Sequence, residues 1–447
     1  MNQPITTEPP MRKIAAASLV GTMIEWYDYF IYGTAAALVF GKVFFPALSG
    51  VAATLASFAT LAVGFFVRPI GAVIFGHFGD RISRKRMLVL SLILMGTGTF
   101  LIGLLPTPAA IGAWAPVLLV LLRILQGIGV SGEWGGAVLL AVEHAPAHRR
   151  AFYGSFPQIG NAAGLLLATG GFSLISLLPT TSFMSWGWRI PFFFSAVLLA
   201  VALYIRLQVV ETPAFRKLAQ SGRQAKVPVV EMLRDHWRSV LKGLGLRLSC
   251  DVQGYVIITF AVSYVAHDLG LSGTVGTVAV AVAAAVAIFT APLFGKLADR
   301  VGRLPVFLGS AVLGIVLAFP FFWLLDSRSA DLIIIAFVVM YAVSNIANYS
   351  VQSTFLSELF PTRIRYTGTS FTYHATSVVG GGIAPIIATA LVSASGGNPW
   401  PVAVYLIVVA LITIGVLALT KETRFVNLEG DQTTGHSPAN PAATRNV

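Results

Sequence analysis

The sequence predicts an all-α membrane protein of twelve transmembrane helices, arranged as two parallel repeats of six. Three observations carry this expectation. Of 447 residues, 56% are apolar and only 11% are Asp, Glu, Lys or Arg, where a soluble domain has roughly a quarter charged. Apolar runs long enough to cross a bilayer, about 20 residues each, recur twelve times along the chain. Two polar loop motifs then repeat at about half the chain length. The 43 glycines, 30 phenylalanines and 8 tryptophans, with a mean hydropathy of +0.80, fit a chain whose main solvent is lipid. That composition argues against a soluble enzyme, a disordered chain or a collagen. The single cysteine, Cys250, leaves no intramolecular disulfide to hold the fold.

Apolar runs bounded by charge, Gly or Pro lie near 14–41, 52–75, 87–105, 116–142, 151–177 and 189–208, then 241–266, 273–295, 304–325, 332–357, 368–394 and 400–420. The first is too long for a cleaved signal peptide, carries Glu25 and Asp28, and lacks a small-residue cleavage site, so it stays as a helix. Small faces mark the fourth span, from Gly127 to Gly136, and the fifth, at Gly160 and Gly164, where helices approach closely. Residues 211–240 are polar, carry Pro213 and Pro228, and read as a linker in which "VVEMLRDHW" suits a surface helix. The expected organisation is a tail over 1–13, a six-helix bundle over 14–210, the linker over 211–240, a second bundle over 241–420 and a tail over 421–447. The first ten residues and those after about 427, rich in Asn, Pro, Thr and Gly, read as disordered.

The formal net charge of +12 is unevenly spread. Of the 30 Lys and Arg, 24 fall in the termini or the even-numbered connections, while the odd-numbered connections hold only Lys42 and Arg328. By the positive-inside rule both termini and the linker belong in the cytoplasm. The positive charge is thus a mark of topology, and no nucleic-acid partner is expected.

"GHFGDRISR" at 76–84 and "GKLADRVGR" at 295–303 share G-x-x-x-D-R-x-x-R, with Gly76/Gly295, Asp80/Asp299, Arg81/Arg300 and Arg84/Arg303 each 219 apart. "EHAPAHRRAFYG" and "ELFPTRIRYTG" echo each other 215 apart at Glu143/Glu358 and Pro146/Pro361. Both echoes fall on the same expected side, which indicates a parallel duplication of six-helix halves, with a substrate site at their interface.

Further motifs are "IEWYDYFIYG" in the first span, "RPIGAVIFGHFGDRISRKRML" from the second, "RILQGIGVSGEWGGAVLL" in the fourth and "GSFPQIGNAAG" in the fifth, with "WGWRIP" before the sixth and "ETPAF" after it. With these the chain resembles the major facilitator superfamily, and within it the metabolite:proton symporter branch. The likeness is dense over the N-terminal half and rests in the C-terminal half on the second loop motif and the helix count. It implies the major facilitator fold in a bacterial inner (plasma) membrane, and import of a small organic acid, shikimate or a related carboxylate, by proton symport through alternating access. The proton gradient would stand in place of any cofactor. The branch also implies α-ketoglutarate or citrate, or proline/betaine-type zwitterions, as alternative cargo. Ser83 departs from the loop motif, which usually has Gly there.

Seven ionisable residues lie well inside the expected spans: Glu25, Asp28, Glu133 and Asp251 against Arg68, Arg123 and Arg247. Unpaired, at about 2.5 to 3.5 kcal/mol each, they would cost about 17 to 25 kcal/mol, more than the net stability of a typical domain. They must therefore be paired, protonated or facing water. Glu25 and Asp28, three residues apart, share a helix face with Tyr29 and Tyr32. Two carboxylates so placed are the candidate proton carriers, Asp28 foremost, with salt bridges to Arg68 or Arg123 as the structural alternative. Arg123, followed by Gln126, suits fixed bidentate binding of a carboxylate, and its alternative role is a partner for Glu25, Asp28 or Glu133. Arg247, Asp251 and Tyr255 form a polar stripe in the seventh span and Asn345, Asn348, Tyr349 and Gln352 another in the tenth. With Tyr32 these are the candidate substrate residues, interhelical hydrogen bonding being the alternative. Tyr373 and His374 in the eleventh span adjoin them. Asp80, Arg81, Arg84, Asp299, Arg300 and Arg303 at the helix ends are candidate gating residues, able to latch one state and release in the other.

No enzyme is expected. The seven histidines are scattered without H-E-x-x-H, and His144 and His148 are separated by Pro146 with no third ligand, so no metal site is expected. No P-loop is present to couple ATP. A non-transporting membrane sensor is the remaining rival, against which the paired loop motifs argue. A monomer is expected.

Overall fold

The computed structural model describes residues 10–48 and 50–428; the tails expected to be disordered, up to residue 9 and from 429, lie outside them. Twelve long helices form, and among the described residues there is no strand. α1 (Met11–Ala35) continues through a π-helical turn, Ala36–Phe40, to Phe44. There follow α2 (Gly50–Arg81), α3 (Arg84–Leu104), α4 (Trp114–His144), α5 (Ala147–Ile175) and α6 (Gly187–Leu207). The second half comprises α7 (Trp237–Asp268), α8 (Gly273–Val301), α9 (Arg303–Asp326), α10 (Ala330–Leu359), α11 (Thr362–Ala394) and α12 (Trp400–Ala418). Helices α2 to α12 are each long and apolar enough to cross a membrane, and α1 matches them in length while carrying Glu25 and Asp28.

Every expected span corresponds to one helix, and the differences are systematic. α2 and α8 run more than a turn beyond the apolar runs that announced them, through Asp80-Arg81 and Asp299-Arg300. Hydropathy ends where lipid ends, whereas the helical hydrogen-bond ladder continues into water or into protein. Further π-helical turns interrupt α7 at Val256–Ala261 and Tyr264–Asp268, α10 at Val338–Asn345 and α11 at Val378–Ile383.

The two halves repeat the same packing. α1 lies on α5, α2 and α3 on α4, and α3 on α6; in the second half α7 lies on α11, α8 and α9 on α10, and α9 on α12. Between halves α2 meets α11 and α5 meets α8, and these two pairs exchange under the repeat. Outward faces carry Leu55, Phe66, Ile70, Phe289, Leu293 and Ile386 exposed, the surface that lipid requires. Inside, one apolar cluster runs from the second half through Val138 and Val142 of α4 and Ala162 and Leu165 of α5, so the halves share a core.

The linker holds two short helices. Thr212 caps Pro213–Ser221 through the Phe215 amide, and Gly222, at φ 65°, ends it, a left-handed stop that glycine makes without strain. Pro228–Asp235 buries Met232 in a cluster with Phe360 and Ile364. The two loop motifs diverge at one backbone position. Gly302 stands at φ 109°, which favours glycine, whereas its counterpart Ser83 is extended at φ −176° and caps α3 by accepting from the Arg86 amide. The first turn therefore has no need of the missing glycine.

A Cβ on Gly164 of α5 would stand 2.5 Å from the Met23 carbonyl oxygen and 2.8 Å from the Tyr27 nitrogen of α1. Gly164→Leu is expected to lower stability by about 1 to 3 kcal/mol through overpacking, seen as a lower melting temperature of the full chain in detergent. Gly170→Ala, whose Cβ would meet nothing, should show no such drop.

Candidate functional site: a charged interface between two six-helix halves

One end of the bundle, which carries the loop motifs, is held by two matching clasps. Asp80, at the end of α2, accepts from the Tyr366 amide (3.1 Å), the Thr367 amide (2.9 Å) and the Thr367 hydroxyl (2.9 Å) at the start of α11. Asp299, at the end of α8, accepts from the Ala151 and Phe152 amides at the start of α5, both at 2.9 Å. In each case a carboxylate satisfies orphan N–H groups at the positive end of a helix from the other half. The motif glycines make this approach possible: a Cβ on Gly76 would stand 2.5 Å from the Thr367 Cα, and one on Gly295 2.6 Å from the Ala151 carbonyl oxygen.

The motif arginines split into two groups. Arg84 pairs with Asp80 and Glu143 and donates to the Thr362 carbonyl, while Arg365 of α11 reaches the same Glu143 at 2.7 Å. Arg303 grips Glu358 through two bonds, 2.9 and 3.2 Å, and also meets Asp299. Arg81 and Arg300 are not brought into the clasps: both are exposed, because the next residue along a helix points about 100° away from its neighbour. The clasps thus use Asp80, Arg84, Asp299 and Arg303 of the six candidates, with Glu143, Glu358 and Arg365 added.

The expected proton carriers diverge. A spacing of three residues leaves side chains about 60° apart around a helix, and that is enough to send them to different neighbours. Asp28 is buried within the first half, accepting from the Thr99 hydroxyl of α3 (2.7 Å) and the Ser195 hydroxyl of α6 (2.8 Å). Thr99 accepts from Gln126 (2.8 Å), whose carbonyl oxygen accepts from Arg123, so Arg123 joins Asp28 through two intermediates and without a direct ion pair. The Arg123 guanidinium also lies 4.1 Å from the Tyr32 ring centroid, and the Tyr32 hydroxyl is bonded to Thr60. Arg123, Gln126 and Tyr32 therefore form one network inside the first half. Glu25 faces elsewhere, toward Arg68, and its buried Oε2 has no hydrogen-bond partner in the protein.

Where the halves meet, Trp26, Asn161, Arg247, Asp251, Tyr255 and Tyr349 are among the residues lining a cavity of about 30 Å³, room for a water molecule or two. Arg247 pairs with Asp251 at 2.6 Å, donates to Gln352 at 2.8 Å, and lies 3.5 Å from the Tyr373 ring centroid. Tyr373 in turn stacks on Trp134 of the first half. Asn345 also lines the cavity but spends its amide on the Cys250 carbonyl (2.7 Å), and Asn348 donates to the Leu246 carbonyl (3.4 Å). The tenth-span stripe is thus partly interhelical bonding. Arg68 of α2, over Phe65 at 4.5 Å, has no ion pair among the described residues, and His374 is fully buried. Tyr341 donates to Asn161 (3.2 Å) and Phe65 meets Tyr255 edge to face across the interface.

The family model of the Major Facilitator Superfamily matches residues 18–373 and, again, 248–443. The chain belongs to the major facilitator superfamily. Similar proteins include the shikimate transporter of Escherichia coli K12, 43% identical with 92% of this chain and 95% of that protein covered. The proline/betaine transporter of Salmonella typhimurium is 36% identical, with 95% of this chain and 86% of that protein covered. Among solved structures, the proton:xylose symporter XylE bound to 6-bromo-6-deoxy-D-glucose superposes with a TM-score of 0.75 at 18% identity, covering 94% and 98% of the two chains. The protein is accordingly a multi-pass membrane transporter of the major facilitator superfamily and not an enzyme.

Two features of this superfamily member were not singled out from sequence. Arg206, counted with the linker charges, lies in α6 and pairs with Glu133, so the buried acids and arginines are equal in number among the residues considered. Arg68 is a buried charge that the sequence does not mark as a site residue, and its guanidinium, like that of Arg123, has no ion pair with an acid among the described residues. The sequence held a signal for Glu143 and Glu358, which head the second echo.

If the Asp80 clasp holds α11, Asp80→Ala should speed hydrogen exchange of the Tyr366 and Thr367 amides by at least about ten-fold, the loss of bonds to a charged acceptor. Arg81→Gln should leave those amides unchanged. Equal exchange in wild type and Asp80→Ala would remove the clasp.

Proposed function

We propose that this transporter imports a small organic acid, shikimate or a related carboxylate, together with protons, by rocking its two halves about the interface. The observation that carries the proposal is the concentration of charge at that interface: Arg247 paired with Asp251, and Glu25 and Arg68 buried with no ion pair among the described residues. Charge inside a membrane protein persists where it binds solute or protons. Arg247, with Tyr373 beneath it and Gln352 beside it, is the substrate group, since a guanidinium cannot lose its charge and forks onto a carboxylate. Asp251 and Asn345 line the same cavity, with Gln352 holding Arg247 and Asn348 holding the Leu246 carbonyl of the same helix. Asp28 is the coupling group, because protonation there acts through Thr99 and Gln126 on Arg123; Glu25 is the second acid able to carry a proton. The proton gradient is the energy source and no cofactor takes part.

The basic bias places the clasped end, both termini and the linker in the cytoplasm of a bacterial inner membrane. The structure then corresponds to a state shut toward the cytoplasm, and the cycle opens the clasps. The transporter works as a monomer, each half serving as one arm of the rocker. A second cargo class, proline/betaine-type zwitterions, is favoured by one observation: the Arg247–Asp251 pair offers both a cation and an anion to the cavity.

Proteoliposome uptake of shikimate, quinate, α-ketoglutarate, citrate, proline and betaine at several pH values separates these readings. Acid uptake that rises with an inward proton gradient is expected; uptake of betaine or proline alone would exchange the cargo, and no pH dependence would remove the symport. Arg247→Gln should raise the KM for the acid about ten- to hundred-fold, the loss of a charged hydrogen bond, and an unchanged KM would take Arg247 out of the site. Asp28→Asn should abolish gradient-driven accumulation while substrate counterflow persists.

A further inference from the structure

At the clasped end, beside Asp299, the two halves border a second cavity, open to solvent and of about 450 Å³. Its walls are unlike those of the central site. His148, Arg149 and Phe152 line it from the first half, and Lys296, Arg300 and Arg424 from the second. The one acid on the wall, Asp299, is already committed, with its two oxygens on the Ala151 and Phe152 amides and on Arg303. Arg149, Lys296 and Arg300 are exposed, and none has an acid within ion-pair distance among the described residues. Arg424 donates to the Arg300 carbonyl, which draws its guanidinium toward the others. Four cations round one cavity, with no free acid on its wall, make a positive field that draws an anion.

The neighbouring surface says which anion. Phe289, Leu293 and Leu297 of α8 are all exposed, and at four-residue spacing they form one apolar stripe along the outside of the helix. Lys296 and Arg300 stand beside the end of that stripe, three residues beyond Leu293 and Leu297. A molecule with a phosphate at one end and hydrocarbon at the other matches both parts, whereas a free phosphate would use only the first. We propose that this cavity binds the headgroup of an anionic phospholipid, its phosphate held between Arg149 of one half and Lys296 and Arg300 of the other, its chains along Phe289, Leu293 and Leu297. Because the cations come from both halves, the lipid spans the joint that the Asp299 clasp closes and favours the closed joint.

The test uses the delipidated full chain in detergent, titrated with fluorescent phosphatidylglycerol, with phosphatidylcholine and inorganic phosphate as separate competitors. Each charge removed near a membrane surface is worth about five-fold in affinity, so Arg149→Gln/Lys296→Gln should bind phosphatidylglycerol about thirty-fold more weakly. Lys296→Arg should bind as wild type does. Arg86→Gln, which removes an exposed charge from the same end but away from the cavity, should stay within about two-fold. Wild-type affinity in the double variant, or an equal loss in Arg86→Gln, would overturn the site. Displacement by inorganic phosphate at millimolar concentration, or equally well by phosphatidylcholine, would overturn the assignment to an anionic lipid.

Discussion

The structure is organised by the expense of putting charge where water is scarce. Nothing in a bilayer core solvates a carboxylate or a guanidinium, so each one inside the bundle must be paired, protonated or within reach of water. Across helices, Glu133 is met by Arg206, Glu143 by Arg84 and Arg365, and Glu358 by Arg303. These pairs fix which helices are neighbours more narrowly than apolar packing does, because leucine against leucine is no better than leucine against lipid. Asp28 meets the same demand with two hydroxyls instead of an arginine.

The repeat turns this constraint into a mechanism. A carboxylate at the end of α2 sits on the first turn of α11, and its counterpart at the end of α8 sits on the first turn of α5. Each is tied back by an arginine one turn later on the chain, and each arginine is held by a glutamate in the last turn of α4 or α10. The two assemblies lie on opposite sides of the pseudo-two-fold axis, so the halves are pinned at two points and cannot twist about one. The central polar groups are at the interface so pinned, and their surroundings change whenever the halves move.

The fold was legible in the sequence because its signals are simple. Length and apolarity marked the helices, the basic residues marked the connections, and a duplicated motif paired the halves. Side-chain destinations were harder to read. Glu25 and Asp28 are three residues apart, yet one looks toward α2 and the other toward α3 and α6, a choice made by neighbours far away in sequence. Arg206 shows the same limit: it stands at the end of the sixth apolar run, next to the linker, yet in the last turn of α6 it points inward, where Gly21 leaves space for its guanidinium against Glu133. Arg81 and Arg300 repeat as faithfully as the residues beside them, and only their angle round the helix separates them from the clasps. A repeat identifies what was duplicated, and contact decides which part of it is used.

The π-helical turns have a consequence for how the molecule can bend. Each lies in α1, α7, α10 or α11, and none lies in the stretches that form the clasps. A π turn inserts one residue into the ladder and leaves a local weak point in an otherwise stiff rod. The clasped end is therefore built of stretches without π turns, which part or meet as rigid bodies. The other end is built of rods with a joint in them. A molecule made this way has two different kinds of door: one that unlatches, and one that folds.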